Sequence, residues 1–294
     1  MTVEVNDEVK QRRKKTELVL SNIYNLPAMS TIMLEVSKLL DDPSTGTARL
    51  GQMIGKDQGL ATKILSIANS PLYGLPRKVS TIDFAILIIG YQDIKNIVIA
   101  LSMIESFKNK TDKNLNQKDF WLHSVICGNA AKRVAEDKKI KLTGEAFVSG
   151  LLHDLGIPVI HKYFHSSFEE IIRKVNEENY NYLDAEIETL GYTHQDIGGF
   201  LSKKWNLPIQ LSEALMNHHN PLKEGSSNIQ LTSLVHFADY MTQYLEIGKF
   251  YWDNSLELIP EAAKVLGFNS VAEAESFIDT YKSLFQEEAE SMRF

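Results

Sequence analysis

Histidine and aspartate side chains recur in the second half of the chain at positions that suit a metal site. The segment GLLHDLGIPVI places His153 beside Asp154 at the end of an apolar run. Imidazole nitrogens and carboxylate oxygens together suit divalent iron, manganese or zinc. A lone His-Asp pair is also a common accident of composition, and a histidine at a helix end can be satisfied by a backbone partner. The other histidines therefore decide how this pair is interpreted.

Further histidines and one aspartate lie on predicted inward faces of helices. His123 shares a helical stripe with Cys127 in FWLHSVICGNAAKRV, and a buried imidazole needs a partner. His194 opens a helix whose apolar stripe also faces inward. Asp239 lies in the apolar segment LVHFADYMTQYL, where a buried carboxylate is costly unless it is paired or bound to metal. The candidate metal ligands are His123, His153, Asp154, His194, His218, His219 and Asp239.

Other residues with suitable chemistry have simpler explanations. Asp119 precedes His123 by one helical turn and could join the site, but it also suits an N-cap after a polar linker. Lys162 and Arg173 could hold a phosphate, although solvated surface charge explains both. Cys127 is interpreted as a small buried hydrophobe, with redox sensing as the alternative. The histidines outside the pattern are interpreted as structural or surface residues: His161, His165 and His236.

The elements that must position these residues have helical periodicity, and no strict alternation predicts a sheet. In the first half we expect four helices. They cover 29–40, a segment that begins after Asp57 as its N-cap, 81–89 and 93–107. In the second half we expect helices over 120–136, 145–155, 168–176, 183–190, 194–205, 208–218, 229–247, 261–266 and 271–289. Asp41 to Pro43 should end the first helix, and Gly156 and Pro158 should break the chain. Ser270 and Glu273 predict a capping box.

The polar segment KNKTDKNLNQKD, residues 108–119, is the best candidate for a domain boundary. We therefore predict an all-α fold with two packed helical subdomains. The N-terminal subdomain covers residues 1–110, and a second helical bundle with the metal site covers 111–250. Helices in 251–294 would close the structure.

Composition excludes several classes of function. The chain has 294 residues, is 44% hydrophobic and carries a net charge of -7. That charge argues against broad binding to nucleic acid, because phosphate contacts need clustered Lys and Arg. The single cysteine permits no intrachain disulfide, which fits a reducing compartment. With no apolar leader and no uninterrupted apolar span, we expect a cytoplasmic protein without membrane contact.

The order His…His-Asp…His…His-His…Asp resembles that of the HD metal-dependent phosphohydrolase superfamily. The segment GYTHQDIGGFLSKKWNLPIQLSEALMNHHNP, residues 191–221, resembles the HDOD branch and its relatives, the HD-GYP phosphodiesterases. The first half is similar to the start of an HDOD domain, with Leu26-Pro27, DQGLATKILSIANS and VSTIDFAILIIG in the expected order. The resemblance covers roughly residues 20–250.

This resemblance implies an HD-type bundle in the second subdomain and one or two bound divalent ions. Each of the seven candidate ligands matches a metal-binding position of the superfamily, and Asp154 would bridge two ions. If the protein were active, hydrolysis would depend on Asp154. The family implies a signalling module that binds other signalling proteins or a nucleotide second messenger.

Two positions differ from the catalytic relatives. Active HD-GYP enzymes have a lysine where this chain has Ile157, and a Gly-Tyr-Pro motif where residues 220–223 read NPLK. Neither difference removes a metal ligand. We therefore expect a non-hydrolytic regulatory protein that retains its metal centre. The alternatives are a metal-dependent nucleotide phosphohydrolase and a metal-free helical scaffold.

Overall fold

The computed structural model describes residues 7–23, 35–36, 38–39, 42, 44–107, 112–205, 207–250, 252 and 256–292. Within these ranges every regular element is a helix, which confirms the all-α prediction. No helix in the described ranges is long and apolar enough to cross a bilayer. The predicted helix over 29–40 and its stop at 41–43 lie mostly outside these ranges, although residues 35, 36, 38 and 39 are helical.

The described elements of the first half are α1 (Asp7–Asn22), α2 (Thr47–Ile54), α3 (Gln58–Ala68), a 3-10 turn (Pro71–Tyr73), α4 (Ile82–Ile89) and α5 (Tyr91–Phe107). Helices α2 to α5 surround a buried aliphatic core, whereas α1 packs on Tyr182–Leu190 of the second half. Asp57 caps α3 as predicted, since its Oδ1 accepts a hydrogen bond from the Leu60 N–H at 3.0 Å. Gly90 has φ +95° at the bend between α4 and α5, a conformation that favours glycine.

The second half is a bundle that shares one continuous core with the first half. Its helices are α6 (Gln117–Asp137), α7 (Thr143–Leu152), α8 (Gly156–Tyr163), α9 (His165–Glu178), α10 (Tyr182–Leu190), α11 (His194–Lys204), α12 (Ile209–Asn217) and α13 (Ile229–Tyr244). Helices α6, α7 and α13 pack against one another, while α11 packs on α8 and α12. Helix α5 packs on α7 and α8, so it joins the two halves.

The expectation that Gly156 and Pro158 break the chain is wrong. Gly156 is the first residue of α8 and Pro158 lies within its first turn. Backbone N–H groups in a first turn have no intrahelical acceptor, so proline is tolerated there. The break comes earlier, at residues 153–155, between α7 and α8.

The C-terminal region contains one more helix than the sequence predicts. After α14 (Pro260–Val265), the expected helix over 271–289 is divided into α15 (Val271–Asp279) and α16 (Lys282–Ser291). Ser270 caps α15 by accepting from the Glu273 N–H at 3.1 Å, which confirms half of the capping box. The return contact goes to a different residue, because Glu273 accepts from the Asn269 N–H at 2.8 Å.

A buried polar cluster, the Glu288 cluster, fastens α16 to the rest of the molecule. It consists of Glu288, Ser70 beside the 3-10 turn and Asn129 on α6. Glu288 Oε1 accepts hydrogen bonds from Ser70 Oγ at 2.8 Å and from Asn129 Nδ2. Glu288 and Asn129 are fully buried. Among the described atoms, Glu288 Oε2 and Asn129 Oδ1 have no hydrogen-bond partner. Burial raises the pKa of Glu288 to about 7, against the two hydrogen bonds that lower it.

Candidate metal centre

Close packing of α6 on α7 brings His123 beside His153. A Cβ atom at Gly150 would lie 2.8 Å from the carbonyl oxygen of Cys127, so no larger residue fits without separating the helices. At this helix separation His123 Nε2 and His153 Nε2 are 3.3 Å apart. The glycine therefore sets the distance between the first two candidate ligands.

The turn between α7 and α8 packs directly against the start of α11. A Cβ atom at Gly156 would lie only 2.0 Å from the carbonyl oxygen of His194, so glycine is required here. Thr193 caps α11 through a capping box, which fixes the helix start and the direction of His194. Helix packing thus brings the His153–Asp154 pair against His194.

The structure brings all seven candidate ligands together, with Asp154 between two groups of histidines. Asp154 Oδ2 lies 3.1 Å from His153 Nε2 and 3.6 Å from His123 Nε2. Asp154 Oδ1 lies 3.4 Å from His194 Nε2 and 3.6 Å from His218 Nε2. The two oxygens of one carboxylate therefore face different histidine pairs.

The last two candidates complete these groups. Asp239 Oδ1, on α13, is 3.6 Å from His123 Nε2 and 3.8 Å from His153 Nε2. His219 Nε2 is 3.3 Å from His194 Nε2 on the other side of Asp154. The proximal set is His123, His153 and Asp239, and the distal set is His194, His218 and His219. Asp154 joins the two sets.

The spacing of these donors fits metal ligands better than hydrogen bonds. A tetrahedral ion with ligands at about 2.0–2.1 Å holds its donor atoms about 3.3 Å apart. His194 Nε2 lies 3.4 Å from His218 Nε2 and 3.3 Å from His219 Nε2. Asp154 Oδ1 is buried and has no hydrogen-bond partner among the described residues, which is costly for a carboxylate oxygen. A cation between these donors would remove that cost, so the residues fit a divalent metal.

The outer nitrogens of the imidazoles orient the inner ones. His153 Nδ1 is 2.7 Å from the Gly150 carbonyl oxygen, and His218 Nδ1 is 2.9 Å from that of Leu215. A carbonyl oxygen only accepts, so each Nδ1 carries the proton and donates. In the neutral ring, Nε2 on the side of Asp154 is then the nitrogen free to bind a metal, the usual arrangement for a metal-binding histidine.

Glu186 on α10 orients His194 and is absent from the sequence prediction. Its fully buried carboxylate lies 3.0 Å from His194 Nδ1 and accepts from the His194 N–H at 2.8 Å. It also accepts from Trp252 Nε1–H at 2.8 Å. The available signal was its place on a helical stripe with Tyr182 and Thr189, where a solvated acid is not expected.

Burial and neighbouring charges make the protonation states unequal. Burial alone would lower the pKa of His153, but the Asp154 carboxylate raises it well above the ordinary value. Burial alone would raise the pKa of Asp154, but His153 lowers it well below its ordinary value. Burial, together with the neighbouring imidazoles, lowers the pKa of His218 and His219 to about 3. The last two rings therefore stay neutral and can donate lone pairs.

The weaker candidates lie away from the Asp154 carboxylate. Asp119 lines a surface cavity, and the N-cap of α6 is Asn116 rather than Asp119. Arg173 pairs with Glu178. Lys162 Nζ lies 5.8 Å from the ring centre of Tyr163. Local contacts therefore account for both cations that were considered as phosphate ligands.

Cys127 and His236 are both buried next to the centre. Burial raises the pKa of the Cys127 thiol, so it stays protonated beside His153. His236 Nδ1 is 2.8 Å from the His218 carbonyl oxygen, and its Nε2 accepts from the Ile259 N–H at 3.1 Å. His236 therefore supports the backbone of the distal set, in agreement with the structural role predicted for it.

A second group of similar residues, the lateral group, lies at the junction of α8 and α9. It consists of Asp112, His161 and His165, whose ligand atoms lie within 4.8 Å of one another. His161 Nε2 is 2.9 Å from Asp112 Oδ2. Asp112 Oδ1 accepts from the backbone N–H groups of Asn114 and Leu115. His161 is fully buried, and its Nδ1 has no hydrogen-bond partner within the described part of the chain.

The fold and the two donor sets define a helical protein with a candidate metal centre. Comparison with protein families makes this specific: the model of the HDOD domain matches residues 26–221, about two thirds of the chain. The chain belongs to the HDOD family. The resemblance in the sequence is therefore confirmed.

Individual relatives agree with this assignment at low sequence identity. An uncharacterized protein of Treponema pallidum is 24% identical over 254 residues, which are 84% of this chain and 48% of that protein. The chain thus spans about half the length of that curated relative. An HDOD domain protein of unknown function from Geobacter sulfurreducens has a TM-score of 0.76 at 23% identity, over 97% of this chain and 98% of that one. A candidate phosphohydrolase from Shewanella amazonensis has a TM-score of 0.69 at 20% identity, over 93% of this chain and 97% of that one. Both structures support the fold.

Proposed function

We propose that this HDOD protein is a regulatory module that holds two divalent metal ions and acts by binding rather than by hydrolysis. Its partners would be other signalling proteins or a nucleotide second messenger in the cytoplasm. The observation that carries the proposal is the convergence of all seven candidate ligands inside a closed core. Of the seven ligands, six are at most 5% exposed and only His219 is partly accessible.

Each ion would take one donor set and share Asp154. The proximal set offers two imidazoles and the Asp239 carboxylate, and the distal set offers three imidazoles. Nitrogen-rich sets of this kind suit iron, manganese or zinc better than magnesium or calcium. In an active site, such ions would lower the pKa of bound water and polarise a phosphoryl oxygen.

Two features support binding without turnover. Phosphoryl transfer needs groups that stabilise charge on the phosphate oxygens as well as the metal. Ile157, which replaces the lysine of the catalytic relatives, is fully buried and apolar. The ion-pair partners described for Asp154 and Asp239 are all histidines.

An aromatic ring also packs against the proximal set. The ring of Phe250 lies 5.3 Å from that of His123 and 5.3 Å from that of Phe120. Phe250 is itself only 9% exposed, so its ring covers this side of His123. A phosphodiester could reach His123 on this side only if the ring moved.

The second candidate function is a metal-dependent nucleotide phosphohydrolase. The retention of every ligand favours it, because a site that had lost its use would be free to lose ligands as well. A metal-free scaffold is the third possibility. These three functions differ in two measurable quantities, bound metal and turnover.

The experiment measures both quantities in the same samples. Protein purified without chelator or nickel affinity is analysed for metal, and hydrolysis of bis(p-nitrophenyl) phosphate and cyclic di-GMP is assayed. We expect iron, manganese or zinc near two ions per chain, lost in His153→Ala and retained in the matched control His165→Ala. We expect no turnover in any sample.

Each alternative has its own result. Turnover that disappears in a folded Asp154→Ala variant would establish the phosphohydrolase instead. Absence of metal from the wild type, with thermal unfolding unaffected by EDTA, would leave the scaffold. Circular dichroism of each variant separates loss of a ligand from loss of the fold.

A further inference from the structure

A cleft between the two halves of the chain has the size and lining of a small-molecule site. Its volume is about 470 Å³, within the range of about 300–1,000 Å³ that is typical of ligand pockets. Helices α3, α5 and α6 form its walls. The lining residues that matter here are Gln58, Lys63, Ile104, Gln117, Phe120 and Trp121. None of them belongs to the metal centre.

The walls of this cleft suit a flat heteroaromatic ring. The Trp121 indole is half-buried. Lys63 Nζ lies 4.6 Å from the centre of the Trp121 ring, and this ammonium group also pairs with Glu105. Ile104 and Phe120 supply apolar surface. The Gln58 and Gln117 amides can each donate and accept hydrogen bonds, as the edge of a nucleobase does. An aromatic face with polar groups at the edge is how proteins bind bases in general.

A second cavity adjoins the first and adds positive charge. Its volume is about 300 Å³, and it shares Lys118 and Trp121 with the cleft. Lys249 and Asn116 also line it, together with the acidic Asp119. Three lysines line the two cavities, Lys63, Lys118 and Lys249, together with the carboxylates of Glu105 and Asp119. Glu105 is paired with Lys63. In a chain with a net charge of -7, this is a locally basic position.

We propose that the two cavities together bind a nucleotide, with the base in the cleft against Trp121 and the phosphate at Lys118 and Lys249. This proposal rests on the proposed regulatory function, because it names the class of ligand through which that function would act. Binding itself requires no metal. The cleft is connected to the proximal set by packed rings, because Phe120 contacts Phe250 and Phe250 contacts His123.

Equilibrium dialysis and titration calorimetry with AMP, GMP, ATP and GTP test this proposal on the full chain. We expect saturable binding of at least one nucleotide at one site per chain. Trp121→Leu should weaken it about 10-fold to 100-fold, the usual effect of losing one base-stacking ring, and Trp121→Phe should restore part of it. Gln58→Ala, at an exposed position, provides a second test if Trp121→Leu is poorly folded.

The phosphate contact has its own matched pair of variants. Lys118→Ala should weaken the nucleotide about 10-fold and leave the corresponding nucleoside unchanged, because only the nucleotide carries the charge. Lys113→Ala removes another exposed lysine of the same segment, outside both cavities, and should change neither affinity. Binding of the nucleotide should also weaken as salt is added.

Two results would overturn the proposal. One is absence of binding by the folded wild-type chain at nucleotide concentrations up to about 1 mM, which would mean a binding free energy weaker than about 4 kcal/mol. The other is binding that Trp121→Leu and Lys118→Ala leave unchanged, which would place the nucleotide elsewhere. Repeating the titration with His153→Ala separates the two proposals, since loss of metal alone should leave the nucleotide bound.

Discussion

The proximal and distal sets and the lateral group contain the same types of residue at similar distances, yet they differ in the second nitrogen of each imidazole. At the metal centre, His153 and His218 direct Nδ1 at carbonyl oxygens, and His194 directs it at Glu186. In the lateral group, His161 directs Nε2 at the Asp112 carboxylate, while Nδ1 is buried without a partner among the described residues.

This difference distinguishes the candidate metal centre from a group that suits a hydrogen-bond anchor. A metal on His161 Nε2 would force the proton onto Nδ1, where a buried N–H would lack an acceptor. With the proton on Nε2, His161 donates to Asp112 and leaves only a lone pair without a partner. The lateral group is therefore suited to hold the end of the segment 108–119 against α8. Proximity of histidine and aspartate alone does not identify a metal site.

The Glu288 cluster extends the comparison to a buried carboxylate that has no histidine nearby. Asp154 remains ionised beside His153, whereas burial raises the pKa of Glu288 to about 7. The folded chain then holds a proton that the unfolded chain loses near its ordinary pKa of 4.5. Folded stability should therefore fall as pH rises through the window from about 4.5 to about 7, by at most about 3 kcal/mol.

Glu288→Gln should remove this pH dependence, because glutamine mimics the protonated acid and its amide can donate to Asn129 Oδ1. Urea unfolding at pH 5 and pH 8 measures the effect as the difference between wild type and variant. Parallel changes in the two proteins would show that Glu288 is ionised at both pH values.

Glu186→Gln should weaken metal binding about 10-fold to 100-fold, as expected when an outer partner of a metal-binding histidine is lost. The amide keeps one acceptor oxygen but presents an N–H₂ group to His194 or Trp252, which both donate to Glu186 in the wild type. Competition with a chelator of known affinity measures the change. Glu213→Gln is the control, since Glu213 accepts several hydrogen bonds from Ser227 and Asn228 and contacts no histidine of the centre. Equal affinities in both variants would contradict an orienting role for Glu186.

Asp112→Ala should destabilise the chain by about 1–3 kcal/mol without any loss of metal. The change leaves His161 Nε2–H and two backbone N–H groups without their acceptor, at the usual cost of unpaired donors. Thermal unfolding and metal analysis of the same sample give both quantities. His165→Ala should cost less, because this ring is 49% exposed and lies 3.7 Å from Asp112 Oδ2. A fall in metal content of Asp112→Ala would mean that the lateral group does bind an ion.

The sequence predicted the helical class and the seven residues that converge, because helical periodicity places each of them on an inward face. Whether they hold metal stays a prediction. Glu186 was missed because YLDAEIETL contains three acidic residues, and burial of only one depends on tertiary packing. The break at Thr280 and Tyr281 was missed because no glycine or proline marks it; the Tyr281 ring is buried against Phe277 and Phe285.

The hydrogen bond between Ser70 and Glu288 joins residues that are 218 positions apart. During synthesis at about 5–20 residues per second, Glu288 follows Ser70 by about 10–40 s. Until then the fully buried site around Asn129 lacks its cap, and the surface that α16 covers stays exposed. The first half of the chain therefore cannot complete its packing until α16 has been synthesised. During this interval the nascent chain is most exposed to aggregation or to binding by a chaperone.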